Sequence, residues 1–214
     1  MILGAIFDLD GVLVDTAKYH FLAWKKLADQ LKIPFNEIDN ERLKGVSRDV
    51  SLEILLSFGT QVYSQEEQQQ MMNQKNQDYL KLIEKMSPEE VLPGVKMTLN
   101  KLKKANVKLA LGSASKNAQT ILSNVDLLHY FDEIVDGNDV QQGKPNPEVF
   151  LLAAKKLSLE PSRCVVFEDA HAGCQAAKAA HMYCIGVGSK ANLPEADLLI
   201  QDFVDFDIRK VFET

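Results

Sequence analysis

The chain reads as an α/β protein: a parallel sheet with helices on both faces, interrupted after its first strand by a helical insertion. Three observations carry this. The apolar run Ile2-Leu3-Gly4-Ala5-Ile6-Phe7 stops abruptly at Asp8, as a buried strand does where it meets its loop. From residue 15 to residue 86 only helical patterns follow. Beyond them, short apolar runs alternate with helical periodicity, the pattern of successive strand–helix–strand units.

Within the insertion, Tyr19, Leu22, Ala23, Lys26 and Leu27 fall at helical spacings, Trp24, Ala28 and Leu31 form an adjoining stripe, and Pro34 limits the helix. Ser64-Gln65-Glu66-Glu67 is a capping box opening a second long helix that runs toward Met86. Its glutamine-rich part, residues 65 to 77, is more simply a solvated helical face than low complexity. Pro88 and Pro93-Gly94 mark the return to the sheet. There the pattern predicts helix 95–105, strand 107–112, helix 116–126, strand 133–136, helix 147–157, strand 163–167, helix 171–180 and strand 182–187. Residues 196–201 add a last short strand before a terminal helix. The expected division is a core of residues 1–14 and 87–214 with an inserted helical unit of residues 15–86.

A chain of 214 residues, 46% hydrophobic and 25% charged, can bury a full core. Its net charge of −6 disfavours nucleic acid and gives no general attraction for anions, so any phosphate site must be locally basic. No apolar stretch is long enough for a signal peptide or a membrane span, which points to the cytoplasm. Cys164, Cys174 and Cys184 lack metal-ligand spacing and read as reduced, buried thiols. A monomer is expected.

The chemistry is written at the ends of the strands. Asp8-Leu9-Asp10-Gly11-Val12-Leu13-Val14-Asp15-Thr16 puts two carboxylates two residues apart, and Gly11 turns the chain away. Like charges this close need a cation, a proton, or both. The functional reading is a nucleophilic Asp8 held by a hard divalent metal, with Asp10 as proton carrier; the bland one is a solvated acidic turn. Gly112-Ser113-Ala114-Ser115-Lys116-Asn117 offers small residues and hydroxyls at a strand-to-helix turn, where donors approach a phosphate. Gly143-Lys144-Pro145 sets a fixed positive charge in a stiff turn, and Glu168-Asp169 closes the strand Cys164-Val165-Val166-Phe167. Each segment alone is weak; the four in this order are a strong signal.

In these four segments the chain resembles the haloacid dehalogenase superfamily of phosphotransferases, over essentially its whole length. Within it the chain is most similar to the bacterial β-phosphoglucomutases, because the match continues through Asp15 to Trp24, Arg42 to Arg48, Ser87 to Gly94 and Ser113 to Asn117. The resemblance implies a Rossmann-like, doubly wound core beneath a helical cap that opens and closes. It implies Mg²⁺ held by Asp8, the main-chain carbonyl of Asp10, Glu168 and Asp169, and an aspartyl phosphate on Asp8. Asp10 would move the proton of a sugar hydroxyl, its pKa rising as closure buries it. Ser113, the Ala114 amide and Lys144 would hold the transferring phosphoryl group. Arg48, in the turn Gly45-Val46-Ser47-Arg48, would grip the other phosphate, with Ser115, Lys116 and Asn117 adding donors from the core. By the same resemblance Thr16, His20, Trp24, Lys44, Ser51 and Lys75 bear on the substrate pocket. The implied reaction interconverts β-glucose 1-phosphate and glucose 6-phosphate through a 1,6-bisphosphate. One departure is Ala170, where many relatives carry Ser; it puts a supporting hydrogen bond of the metal site in question.

Plainer readings stand beside these. Trp24 on a helix face is as readily core as sugar contact, His20 alone is an ordinary half-buried histidine, and Lys75 in a polar helix is by default solvated. His129, His171 and His181 have no partner pattern and read as structural or surface residues. A sugar-phosphate or phosphoglycolate-type phosphatase would share every core residue. A non-enzymatic phosphoacceptor would not need Asp10.

Overall fold

The structure is a computed structural model that describes residues 1–189 and 192–212. Strand β1, Gly4–Phe7, is buried along its whole length, as expected of an apolar run covered on both faces. Four helices follow: α1 (Ala17–Gln30), α2 (Glu37–Asn40), α3 (Arg48–Ser57) and α4 (Gln65–Ile83). Helix α1 stops before Pro34, where Lys32 takes a φ of 56°. The capping box of α4 forms: the Ser64 hydroxyl accepts from the Glu67 N–H, and the Glu67 carboxylate accepts from the Ser64 N–H. These helices bury an apolar cluster of their own around Trp24, Leu27, Ile33, Phe35, Leu52 and Leu55.

After α5 (Val95–Lys104) come β2 (Lys108–Gly112), α6 (Ala118–Asn124), β3 (Glu133–Val135), α7 (Glu148–Lys156), β4 (Cys164–Glu168), α8 (His171–Ala179), β5 (Tyr183–Val187), β6 (Leu198–Ile200) and α9 (Arg209–Phe212). Every core element predicted from periodicity is present, with ends shifted by a residue or two. The sheet order is β3-β2-β1-β4-β5-β6 and every pairing is parallel. Alternate side chains feed two apolar layers. Phe7 and Phe167 stack at 4.5 Å on one face, while Ile6 and Val166 join Phe150 on the other.

The chain runs outward from β1 to β3 and then crosses back to β4, so the strand order reverses around β1. Ligands of open α/β sheets sit outside the carboxyl ends of the strands at such a reversal. Phe7 pairs with Leu111 on one side and Phe167 on the other, which brings the ends of β1, β2 and β4, and the polar segments after them, to one level. Among the described residues no helix is long and apolar enough to cross a membrane.

Candidate active site

Asp8 leaves β1 buried, its N–H donating to the Phe167 carbonyl at 3.0 Å. The chain then turns sharply, with Leu13 N–H bonded to the Leu9 carbonyl and Gly11 at a φ of 78°. A Cβ at Gly11 would lie 2.0 Å from Asp169 Oδ2, so glycine is needed here both for conformation and for space.

Lys144 joins two of the acidic residues. Its Nζ donates to Asp8 Oδ1 and to Glu168 Oε1, each at 2.6 Å, with all three side chains buried. Burial works against the ammonium, but Asp8 and Glu168 outweigh it and hold Lys144 protonated. Burial pushes Glu168 up to about 7 despite Lys144, and burial together with Glu168 and Asp8 raises Asp169 well above the carboxylate range. The second oxygen of Glu168 accepts the Ala170 N–H at 2.9 Å. The departure at Ala170 therefore leaves Glu168 supported, by main chain rather than by a side-chain hydroxyl.

Oxygens of Asp8, Glu168 and Asp169 lie within 4.8 Å of one another. Once ionised, three carboxylates beside one ammonium carry two negative charges, and an all-oxygen donor set of that charge suits a hard divalent cation such as Mg²⁺. The Asp10 carboxylate lies outside this group. It accepts the Thr16 hydroxyl, which fixes its orientation, and its Oδ2 is 3.8 Å from His20 Nε2. Burial, and after it the charge of Asp8, raises Asp10 to about 6. The side chain is 29% exposed, and the surface it shows lines a cavity.

That cavity, about 830 Å³ including its mouth, brings most of the predicted residues together. Asp8, Asp10, Ala114, Ser115, Lys116 and Asn117 line it from the sheet, with Lys116 at the exposed rim. His20, Trp24, Lys44, Gly45, Val46, Arg48, Ser51 and Lys75 line it from the helical insertion. Ser113, Lys144 and Glu168 are buried beneath, and Thr16 is buried beside Asp10. Successive hydroxyls curl the loop after β2: Ser113 Oγ accepts the Ser115 N–H, and Ser115 Oγ accepts the Asn117 N–H. The turn 45–48 lies against the core, since a Cβ at Gly45 would be 2.6 Å from Ala170 Cβ and one at Gly143 would be 3.0 Å from Ser47 Cβ.

Of the three plainer readings, one is corrected, one holds in part and one is shared. Lys75 is 3% exposed rather than solvated; its Nζ lies over the rings of Trp24 (4.7 Å) and Tyr79 (4.6 Å) and 3.1 Å from His20 Nδ1. Burial, then Arg48, lowers its pKa to about 7, against the pull of Asp10. His20 is half-buried as expected but not isolated, with Lys75 Nζ at Nδ1 and Asp10 Oδ2 near Nε2, and burial, then Lys75 and Arg48, lower its pKa well below the usual imidazole range. With Lys75 charged, Nδ1 must accept, so the ring proton sits on Nε2, facing Asp10. Trp24 does both things expected of it, packing in the insertion's apolar cluster and lining the cavity. Ser51 directs its hydroxyl to the Ser47 carbonyl, and Lys44 pairs with Glu41 at 2.8 Å.

Residues that went unpredicted include Asn40 and Leu43 on the cavity wall, Tyr79 against His20 and Lys75, and Asn76. Tyr79 was findable, one helical turn after Lys75. Asn40 and Asn76 carry no signal in a polar helical stretch.

Comparison with known proteins agrees with this geometry. Residues 2–181 match the model of the haloacid dehalogenase-like hydrolases. The chain is 46% identical over 212 residues to β-phosphoglucomutase of Bacillus subtilis (strain 168), covering 98% of this chain and 94% of that protein. It is 33% identical over 179 residues to the phosphorylated carbohydrates phosphatase of Thermotoga maritima, covering 83% and 81%. The crystal structure of β-phosphoglucomutase from Clostridium difficile superposes with a TM-score of 0.95 at 41% identity, covering 100% of this chain and 96% of that one. Sequence, acidic cluster and doubly wound sheet thus agree, and the chain belongs to the haloacid dehalogenase-like hydrolase family.

Proposed function

We propose that this protein is a β-phosphoglucomutase, interconverting β-D-glucose 1-phosphate and glucose 6-phosphate through an aspartyl phosphate on Asp8 and a glucose 1,6-bisphosphate. The observation that carries this is the shared cavity. Asp8 and Asp10 share one cavity with Arg48, Lys75 and His20 of the insertion, which suits a substrate carrying a phosphate at each end.

In the forward direction the 6-hydroxyl of the sugar attacks the phosphorus carried by Asp8, and Asp10 takes the hydroxyl proton as the O–P bond forms. The Asp8–phosphorus bond breaks, and its electrons return to the carboxylate. The bisphosphate reorients, Asp8 attacks the 1-phosphate, and Asp10 returns the proton to the departing sugar oxygen. A pKa near 6 lets one carboxyl serve both steps. Lys144, pinned between Asp8 and Glu168, keeps a positive charge beside the transferring oxygens, and Ser113 with the Ala114 amide supplies donors whose geometry is set in advance. Mg²⁺, when bound by Asp8, Glu168, Asp169 and the Asp10 carbonyl, would offset the repulsion between nucleophile and phosphate.

Residues 15–86 act in this reading as a cap hinged at its two chain crossings, and 1–14 with 87–214 as the catalytic core. The separate apolar cluster of the insertion supports this division. Three free, buried cysteines accord with a cytoplasmic setting, where the protein would work as a monomer on free sugar phosphates.

The likeness to the Thermotoga maritima phosphatase supports a second reading, hydrolysis of sugar phosphates on the same core. Incubation with β-glucose 1-phosphate, Mg²⁺ and catalytic bisphosphate, followed by ³¹P NMR, separates the two. Glucose 6-phosphate as main product is the expected result; inorganic phosphate would transfer the assignment to the phosphatase.

A further inference from the structure

Between the cap and the core lies a junction that the mechanism above does not use. Asn76 Oδ1 accepts from Arg48 Nη2 at 2.8 Å and from Asn117 Nδ2 at 3.0 Å. Arg48 opens α3 and Asn76 lies in α4, both in the insertion, whereas Asn117 is the N-cap of α6 in the core. An asparagine at an N-cap normally accepts a main-chain N–H of its own helix. Asn117 makes no such bond, and its carboxamide points to Asn76 instead. The orientation of the junction is settled by chemistry: a guanidinium only donates, so the atom facing Arg48 is the Asn76 oxygen, and Asn117 must present its N–H to that oxygen.

Arg48 and Asn117 both line the cavity. Asn76 engages one N–H of the guanidinium and one of the Asn117 carboxamide, leaving other donors of each free to turn toward a ligand. We propose that Asn76 is a positioning residue for the non-transferring phosphate: its single oxygen gathers Arg48 from the cap and Asn117 from the core, so that their remaining donors converge on one anion in the closed protein. This rests on the mutase reading and adds to it the device that couples closure to phosphate recognition. Without Asn76 the guanidinium would have to be ordered by the substrate at the substrate's expense.

The test compares β-glucose 1-phosphate with acetyl phosphate, which can phosphorylate Asp8 but has no second phosphate. For Asn76→Ala, kcat/KM with the phosphosugar is expected to fall about tenfold or more relative to kcat/KM with acetyl phosphate, with the loss mainly in KM. In an Arg48→Ala background the same change should cost less than about threefold, because the charged one of the two donors that Asn76 gathers is gone and only Asn117 is left for it to hold. Asn76→Asp can accept both hydrogen bonds but places a negative charge beside the anion. A merely structural clip would be preserved by it; positioning of phosphate donors predicts a selective loss at least as large as for alanine. Equal losses with both substrates, full additivity with Arg48→Ala, or wild-type behaviour of Asn76→Asp would each overturn the inference. Wild-type protein that is phosphorylated by acetyl phosphate yet makes no glucose 6-phosphate would instead overturn the mutase reading, whatever Asn76 does.

Discussion

Replacing Lys144 by methionine removes the one ammonium from the buried acidic group while roughly keeping its volume. The lysine is bonded at 2.6 Å to both Asp8 and Glu168, with side-chain exposures of 1%, 5% and 0%. Deleting one partner of a buried ion pair costs about 3–5 kcal/mol, because the remaining charge is left without compensation. Both bonds share one ammonium, so that figure is taken once. At about 2–4 °C per kcal/mol for a protein of this size, the melting temperature should fall by roughly 6–20 °C. The loss must also depend on pH. Glu168 and Asp169 have folded-state pKa values above their unfolded ones, so the folded protein binds more protons than the unfolded chain and is stabilised by acid. Without Lys144 the Glu168 carboxyl loses the ammonium that holds it down and rises further, so the deficit should be largest near about pH 8 and shrink toward about pH 5 as it protonates. Scanning calorimetry with chelator present, on wild type and Lys144→Met at both pH values, measures this. A melting temperature within about 2 °C of wild type at the higher pH, or a deficit that grows toward acid, would refute the reasoning.

Three further expectations follow from the same geometry. Asp10→Asn should lower turnover at least ~10²-fold while leaving Mg²⁺ affinity within about threefold, since its carboxylate lies outside the acidic cluster; titration calorimetry beside steady-state kinetics checks both, and a parallel loss of metal would make Asp10 a side-chain ligand. In chelator, wild-type stability should decline as pH rises through the range in which Asp10 (about 6) and Glu168 (about 7) release protons that the unfolded chain has already lost, and Mg²⁺ should reverse the decline; a flat profile from about pH 5 to 8 in thermal unfolding contradicts it. Gly11→Ala would force a Cβ to within 2.0 Å of Asp169 Oδ2 at a positive φ, so Mg²⁺ should bind at least ~10-fold more weakly in a folded protein; unchanged affinity would show that the loop yields without moving Asp169.

Local spacing determined much of this protein. The alternation of apolar runs with helical periodicity specifies a parallel sheet because strands covered on both faces are apolar throughout. The four polar segments lie where those runs end, so Asp8, Ser113 and Glu168 were legible as neighbours before any coordinate was known. The capping box at Ser64 and Glu67 was legible for the same reason, its partners being three residues apart. Tertiary structure alone decided what depends on elements far apart in the chain. Lys75 and His20 are 55 residues apart, and Lys75 leaves solvent only because α1 sets the rings of Trp24 and His20 against α4. Asn76 meets Asn117 across 41 residues, within a glutamine-rich stretch that reads as a solvated face. The proton affinities of Asp10, Glu168 and Lys75 belong to this second class, because burial and the charges packed around each carboxyl or ammonium, rather than its neighbours in sequence, set them.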